Sequence, residues 1–270
     1  MKKNAGSANL LNKSCCLPAW GWHSLSFLLG AIVLAAFSAF QKGIIGETHL
    51  LLLPRAYVVP VLYGGIVGVL IGWWYRRLRK KEAALLHSYD VTIAGWAKAI
   101  ELRDKATENH SHRVAVLTEI IARQMGISEA ELVHIRRGAL LHDIGKIAVS
   151  DVILNKPECL TAEERVLIEE HPSQAYEMLR NIDFLRPALS IPLYHHERWD
   201  GKGYPKGLAG EEIPIEARIF SVVDVWDALT SKRPYRDAWT EADAIAYIEE
   251  SAGTLFDPDV VRAFLASSQQ

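Results

Sequence analysis

At 270 residues, half of them apolar, the chain has room for one large domain or for a domain with an appendage. A net charge of −2 argues against a nucleic-acid footprint. Three cysteines make no disulfide framework: Cys15 and Cys16 fall on what reads as an inner membrane flank, where thiols stay reduced, and Cys159 in a polar loop.

Apolar residues crowd the first quarter of the chain. Trp20 to Phe40 and Ala56 to Tyr75 each reach the about twenty residues needed to cross a roughly 30 Å hydrocarbon layer. Residues 1–81 are therefore expected to form a membrane region with two transmembrane helices, at about 20–40 and 56–75. Trp20, Trp22, Trp73, Trp74 and Tyr75 stand at the span ends as interfacial aromatics do. Lys2, Lys3 and Lys13 before the first span, and Arg76-Arg77-Leu78-Arg79-Lys80-Lys81 after the second, mark both ends as inside, which predicts an inner-membrane protein with its main domain in the cytoplasm. Two readings compete: a signal peptide ending at Ala36-Phe37-Ser38, a poor cleavage site, or two buried helices of a soluble protein. The basic run also suits anionic membrane lipid, and the Gln41 to Arg55 connection is too short for a folded external sensor.

A connecting juxtamembrane helix is predicted over 82–103, with Leu86, Tyr89, Ile93, Trp96 and Ile100 recurring at three- and four-residue steps. This short heptad seam serves either a homodimer or packing on the chain's own domain, and its length favours the second. From 104 to 270 no sustained alternation suggests a sheet, so an all-α domain is expected. Thr161 to Glu164 is a capping box opening a helix that runs to about His171 and stops at Pro172. Further helices lead into His195-His196, cover Glu216 to Ser231, open at Thr240 with Asp243, and start after Asp257-Pro258. Trp199 to Pro214, rich in Gly and Pro, is the one long irregular segment, and such loops are often functional.

The stretch Leu140-Leu141-His142-Asp143-Ile144-Gly145-Lys146 joins a neutral nitrogen donor to a carboxylate able to span two ions. On a helix, Lys146 would share the cleft side with His142 and Asp143 while Leu140, Leu141 and Ile144 face inward. His171, the pair His195-His196, and Asp224 with Asp227 three residues on complete a set of the size a two-metal centre requires. Each alone is more simply a satisfied polar residue, and Asp227 suits a supporting hydrogen bond. Together they point to a hydrolase of phosphate esters.

From about Tyr89 to Leu265 the chain resembles the HD-GYP family of cyclic di-GMP phosphodiesterases, a branch of the HD-domain metallohydrolases. Its motifs stand in family order: Arg103-Asp104 with Thr107-Glu108-Asn109-His110-Ser111, then His142-Asp143-Ile144-Gly145-Lys146, then His171-Pro172. His195-His196-Glu197-Arg198-Trp199-Asp200-Gly201-Lys202-Gly203-Tyr204-Pro205 follows, then Val223-Asp224-Val225-Trp226-Asp227-Ala228-Leu229-Thr230 and Arg233-Pro234-Tyr235-Arg236.

The resemblance implies a helical HD-domain bundle over 104–270, with His110, His142, Asp143, His171, His195, His196 and Asp224 as metal ligands and Asp143 bridging. It implies two divalent ions, iron or manganese, with a bridging hydroxide that attacks phosphorus and opens cyclic di-GMP to linear pGpG or on to GMP. Asp104 would lie near the metal-bound water as a catalytic residue with Asp143 and Lys146. Lys146, Arg233 and Arg236 would hold phosphate oxygens, and Tyr204 in the Gly-Tyr-Pro loop would shape the substrate cleft. Ala106 stands where many members carry a glutamate for a third ion; a methyl cannot ligate, so two ions are expected and cleavage beyond pGpG is in doubt. His112 and His134 match no ligand and are expected at the surface, while His23, His49 and His87 belong to the membrane part. The alternatives are an HD hydrolase of another cyclic dinucleotide or nucleotide, and a non-catalytic cyclic di-GMP receptor that signals to a partner protein. The continuous stretch from Tyr75 to Asp104 leads to the further expectation that the membrane part modulates turnover.

Overall fold

Sustained three- and four-residue apolar periodicity becomes helix throughout, and among the described residues no β-strand forms, only the isolated bridges Asp200 to Ala209 and Ala252 to Phe256. The structure is a computed structural model that describes residues 19–104, 109–232 and 237–268. The expectations for Cys15, Cys16, Ala106, Arg233 and Arg236 lie outside the described residues. The chain divides into two compact units, Met1–His87 and Ser88–Gln270.

In the first unit, α1 (Ala19–Ile45) is followed by two 3₁₀ turns, Thr48–Leu50 and Pro54–Tyr57, and by the opening part of α2 (Val58–Arg103). Two helices here, Gly21–Ile45 and Pro54–Arg103, are long and apolar enough to cross a membrane by length and composition. Their contact is built on small residues. A Cβ on Gly30 would lie 2.1 Å from the Gly64 carbonyl, and one on Gly68 2.2 Å from the Ser26 carbonyl. Gly64, Gly68 and Gly72 recur every four residues on one face of α2, which lets the two backbones touch. The outer faces keep Leu29, Ile32, Phe40 and Ile66 more than half exposed. The second predicted span and the predicted connecting helix form one helix without a break.

The second unit contains the last part of α2, then α3 (His110–Gln124), α4 (Glu129–Leu140), a 3₁₀ turn (Ile144–Ala148), α5 (Asp151–Leu154), α6 (Ala162–Glu169) and α7 (His171–Leu179). A 3₁₀ turn (Asp183–Ala188), α8 (Ser190–Tyr194), a 3₁₀ turn (Gly210–Glu212), α9 (Ile215–Thr230), α10 (Glu241–Glu250) and α11 (Pro258–Ser268) follow. One core gathers Val114, Ile121, Leu132, Ile135, Phe220, Val223, Ile248 and Phe264 from α3, α4, α9, α10 and α11. A second gathers Ile93 and Ile100 of α2 with Leu141, Ile144, Ala175, Leu179 and Leu185. Leu140 packs against both, so the residues that follow it lie where the two cores meet.

Two sequence expectations need correction. His142, Asp143 and Lys146 do not share an α-helix: α4 ends at Leu140, His142 and Asp143 lie in a turn, and Lys146 is in the 3₁₀ segment. Three residues per 3₁₀ turn stack positions i and i+3, so Lys146 still falls over Asp143. Pro172 does not stop a helix; α6 ends earlier, and the proline sits in the first turn of α7, where its missing N–H costs nothing. As expected, a helix leads into His195 and His196: the pair follows the end of α8, with ring centroids 4.1 Å apart. The seam of α2 is taken up by its own domain at Ile93 and Ile100, both buried, and at Tyr89, which stacks on Phe184 at 4.5 Å.

Candidate metal centre

Four elements end or begin at one place and a fifth passes it, and each delivers a polar side chain there. His110 is the first residue of α3, His142 and Asp143 form the turn after α4, and His171 is the first residue of α7. His195 and His196 follow α8, and Asp224 lies in the middle of α9. Gly145 is what lets the His-Asp turn lie on α7, since a Cβ there would stand 1.9 Å from the His171 carbonyl.

These seven residues sort into two triads and a link. The donor atoms of His110, His142 and Asp224 lie within 4.8 Å of one another, as do those of His171, His195 and His196. Asp143 reaches both: Oδ2 is 3.1 Å from His142 Nε2, and Oδ1 is 3.4 Å from His171 Nε2. A single carboxylate between two three-donor clusters is the arrangement expected of two neighbouring cations sharing a bridge.

The chemistry of the donors fits cations. The Nδ1 atoms of His142, His171 and His195 lie 2.8, 2.8 and 3.0 Å from the carbonyls of Ala139, Ile168 and Ile191. A carbonyl only accepts, so each Nδ1 carries a proton, and each Nε2 is aimed at the centre. Burial pushes the imidazoles of His171 and His195 down and that of His196 down to about 4, so these rings are neutral. His171 Nε2 and His195 Nε2 nevertheless stand 3.2 Å apart, two lone pairs facing each other. A cation placed between them relieves that contact.

In the other triad, burial opposes a charge on His110, but hydrogen bonds to Asp224 and Asp227 override it and pull the imidazole up to about 10. Its Nε2 is 3.3 Å from Asp224 Oδ1, so a proton and a metal ion compete for the same electron pairs. Its Nδ1 is 2.7 Å from Asp227 Oδ2, and the guanidinium of Arg113 donates to both oxygens of Asp227 at 2.7 and 2.8 Å. Asp227 thus has the supporting role its spacing suggested, orienting His110 from behind. Burial works against charge on Asp143 and Asp224 too, yet His142 and Lys146 hold Asp143, and His110 and His142 hold Asp224, well below the carboxylate range.

Lys146 Nζ donates to Asp143 Oδ2 at 2.8 Å and to Asp104 Oδ2 at 2.7 Å. Burial opposes its charge, and the two carboxylates hold it protonated. Two of its three protons are used, which leaves one for a ligand. Tyr204 lies over His196 with ring centroids 4.7 Å apart, and burial, then the carboxylates of Glu169 and Asp143, push its phenol up. Its loop is tied down by Glu197, a buried carboxylate that accepts from the backbone N–H groups of Lys206 at 2.7 Å and Leu208 at 3.0 Å. His112 is exposed, as expected of a residue outside the centre, whereas His134 is half-buried on α4, where burial lowers its pKa.

Sequence reasoning gave no role to Arg113, Glu197 or Phe220. Arg113 follows His110 by three residues on one helix face, a spacing that was available to reading. Phe220, fully buried one turn before Asp224, packs 4.9 Å from His142 and 5.9 Å from His195, and nothing local marks that contact.

Residues 96–260 match the family described as HD domain. The cyclic di-GMP phosphodiesterase response regulator RpfG of Xanthomonas campestris pv. campestris is 46% identical over 181 residues, covering 66% of this chain and 48% of that protein. A cyclic di-GMP phosphodiesterase of Thermotoga maritima is 44% identical over 167 residues, covering 61% of this chain and 45% of its own length. The chain thus spans about half the length of the curated relatives it matches. Among solved structures, a cyclic GMP-AMP specific phosphodiesterase of Vibrio cholerae superposes with a TM-score of 0.53 at 19% identity, covering 66% of this chain and 48% of that one, a likeness of fold. With the matched segment spanning more than half its residues and both histidine-carboxylate clusters, the chain belongs to the HD-domain family.

Proposed function

We propose that the chain is a member of the HD-GYP branch and a metal-dependent phosphodiesterase that opens cyclic di-GMP to linear pGpG. The observation that carries this reading is Asp143 set between two three-donor clusters. Nitrogen and carboxylate donors without thiolate suit two divalent ions, iron or manganese by family likeness, which when bound would supply Lewis acidity and an activated water. His110, His142 and Asp224 would hold one ion, His171, His195 and His196 the other, and Asp143 both.

The side chains around them do the rest. Lys146 turns its free proton to a non-bridging oxygen of the scissile phosphate, fixed for that task by Asp104 and Asp143. Adding water across one P–O3′ bond leaves a 5′-phosphate and a free 3′-hydroxyl, whose proton comes from solvent. Tyr204, stacked on His196, forms a wall for a guanine or ribose. Arg233 and Arg236 are proposed to hold the distal phosphate. Without a carboxylate at Ala106 a third ion lacks its ligand, so turnover stops at pGpG. Two membrane spans with Arg76 to Lys81 facing anionic lipid on the cytoplasmic side would place the domain in the cytoplasm at the inner membrane. Leu86 and Trp96, exposed on α2, are the seam residues left for a second copy.

Side-by-side turnover of cyclic di-GMP, cyclic GMP-AMP and cyclic di-AMP by the metal-loaded chain, with chromatography of products, tests this reading. Preferential conversion of cyclic di-GMP to pGpG is expected. Preference for cyclic GMP-AMP would reassign the substrate within the family, and tight binding with no product would make the chain a receptor.

A further inference from the structure

Resting on that reading of the centre, we propose that Arg103 is a positioning residue for Lys146, and that the last turn of α2 is the part that sets the lysine against the bridging carboxylate. Arg103 and Asp104 are neighbours in sequence and grip the same residue from two sides. Arg103 Nη1 donates to the Lys146 carbonyl at 2.8 Å, Nη2 donates to the Val149 carbonyl, and Nε donates to Asp151 Oδ1 at 2.7 Å. Asp104 takes the ammonium of Lys146 at 2.7 Å. The loop answers in kind, since Asn155 Nδ2 donates to the Arg103 carbonyl at 3.3 Å.

The segment so held needs holding. Ile144–Ala148 is one short 3₁₀ turn, with i to i+3 bonds that run from Lys146 N to Asp143 and from Val149 N to Lys146. Its apolar anchor, Ile144, belongs to the core that Ile93 and Ile100 of α2 also fill, so the helix and the turn are packed together before any polar contact is made. One planar guanidinium spanning two carbonyls and a carboxylate fixes a backbone in a way that a lysine, with a single point charge, does not. The same helix turn reaches the other triad. Glu101, buried, accepts from the Ser111 N–H at 2.7 Å and so satisfies an orphan donor in the first turn of α3, where His110 lies. Arg103 does not touch the donor atoms of either triad; it acts through Lys146.

The test uses the full chain with Arg103→Met, Arg103→Lys, Lys146→Met and the double variant Arg103→Met/Lys146→Met. Displacing a charge donor without removing it lowers kcat of Arg103→Met by about 10- to 100-fold. KM moves by less than about twofold, because the interaction is one made with the transition state. Two metal equivalents are retained. In the Lys146→Met background the arginine substitution costs less than about another twofold, the non-additivity of residues that act as a unit. Arg103→Lys, which keeps the charge and loses the fork, falls between wild type and Arg103→Met and supplies the comparison if Arg103→Met does not fold. A readout independent of turnover is acylation of the Lys146 amine by acetic anhydride, followed by peptide mass spectrometry. Lys146 reacts slowly in wild type and faster in Arg103→Met or Arg103→Lys. Equal losses of kcat in both lysine backgrounds, or unchanged Lys146 reactivity, would overturn the proposal. If wild type cleaves no cyclic dinucleotide, the phosphodiesterase reading fails and Lys146 reactivity alone decides the role of Arg103.

Discussion

Histidines facing each other across 3.2 Å, with their other nitrogens tied to carbonyls, make proton balance the sharpest property of the centre. In metal-free protein, His196 binds its proton at about pH 4 against about 6.5 when unfolded, and burial lowers His171 and His195 as well. The unfolded chain then binds more protons below about pH 6.5, so the stability these rings contribute is whole above that pH and is lost as pH falls toward 4. His110 works the other way: raised to about 10, its contribution is whole below about 6.5 and is lost as pH rises through 10. Denaturant midpoints of chelator-treated protein should peak near pH 6.5, and added metal, which replaces the His110 proton, should stabilise most on the alkaline side. A steady rise from pH 5 to 9 without metal would be inconsistent with this balance. Asp227→Asn tests the layer behind His110. It should weaken metal binding by about 10- to 100-fold, read by competition against a chelating dye, with the helical content unchanged.

Elements matter here for where they stop. Phe220 of α9 is fully buried: it packs against the rings of His142 and His195, one turn from Asp224. Phe220→Ala should cost about 3–5 kcal/mol of unfolding free energy in the metal-free chain and lower metal retention as well; a loss of stability with full retention would show that the aromatic packs without orienting the ligands. The helix starts at Thr161 and Thr240 were legible because a capping side chain is local: Thr161 accepts from Glu164 N, and Thr240 from Asp243 N. The His-Asp turn was misread as helix because spacing of three or four residues looks the same on an α-helix and a 3₁₀ turn. Pro172 was misread because a proline that ends one helix and a proline that opens the next leave the same mark. The Gly64, Gly68, Gly72 row could have been read as a packing face, and the contact of Gly30 with Gly64 shows what it is for. Long-range contacts such as Arg103 to the Lys146 carbonyl had no local signal at all. The seven candidate residues were legible because they came as ordered motifs, and the fold gathers six of them into two triads with Asp143 between.

On the scale of the whole molecule, α2 begins within the first unit and ends at the residues that hold Lys146. From that continuity we propose that the first unit modulates the turnover proposed for the second. A fragment beginning at Lys80 should differ from the full chain in turnover by a coupling of about 0.5–2 kcal/mol, measured as kcat/KM on the same substrate in detergent. Identical rates and identical oligomeric state would remove the membrane part from the mechanism. The most direct measurement concerns the centre on which every functional statement rests: anomalous-scattering maps from crystals of the manganese-loaded chain. Two peaks are predicted, one against His110, His142 and Asp224, the other against His171, His195 and His196, with an oxygen of Asp143 toward each. A single peak, or two peaks with Asp143 turned away from both, would contradict it.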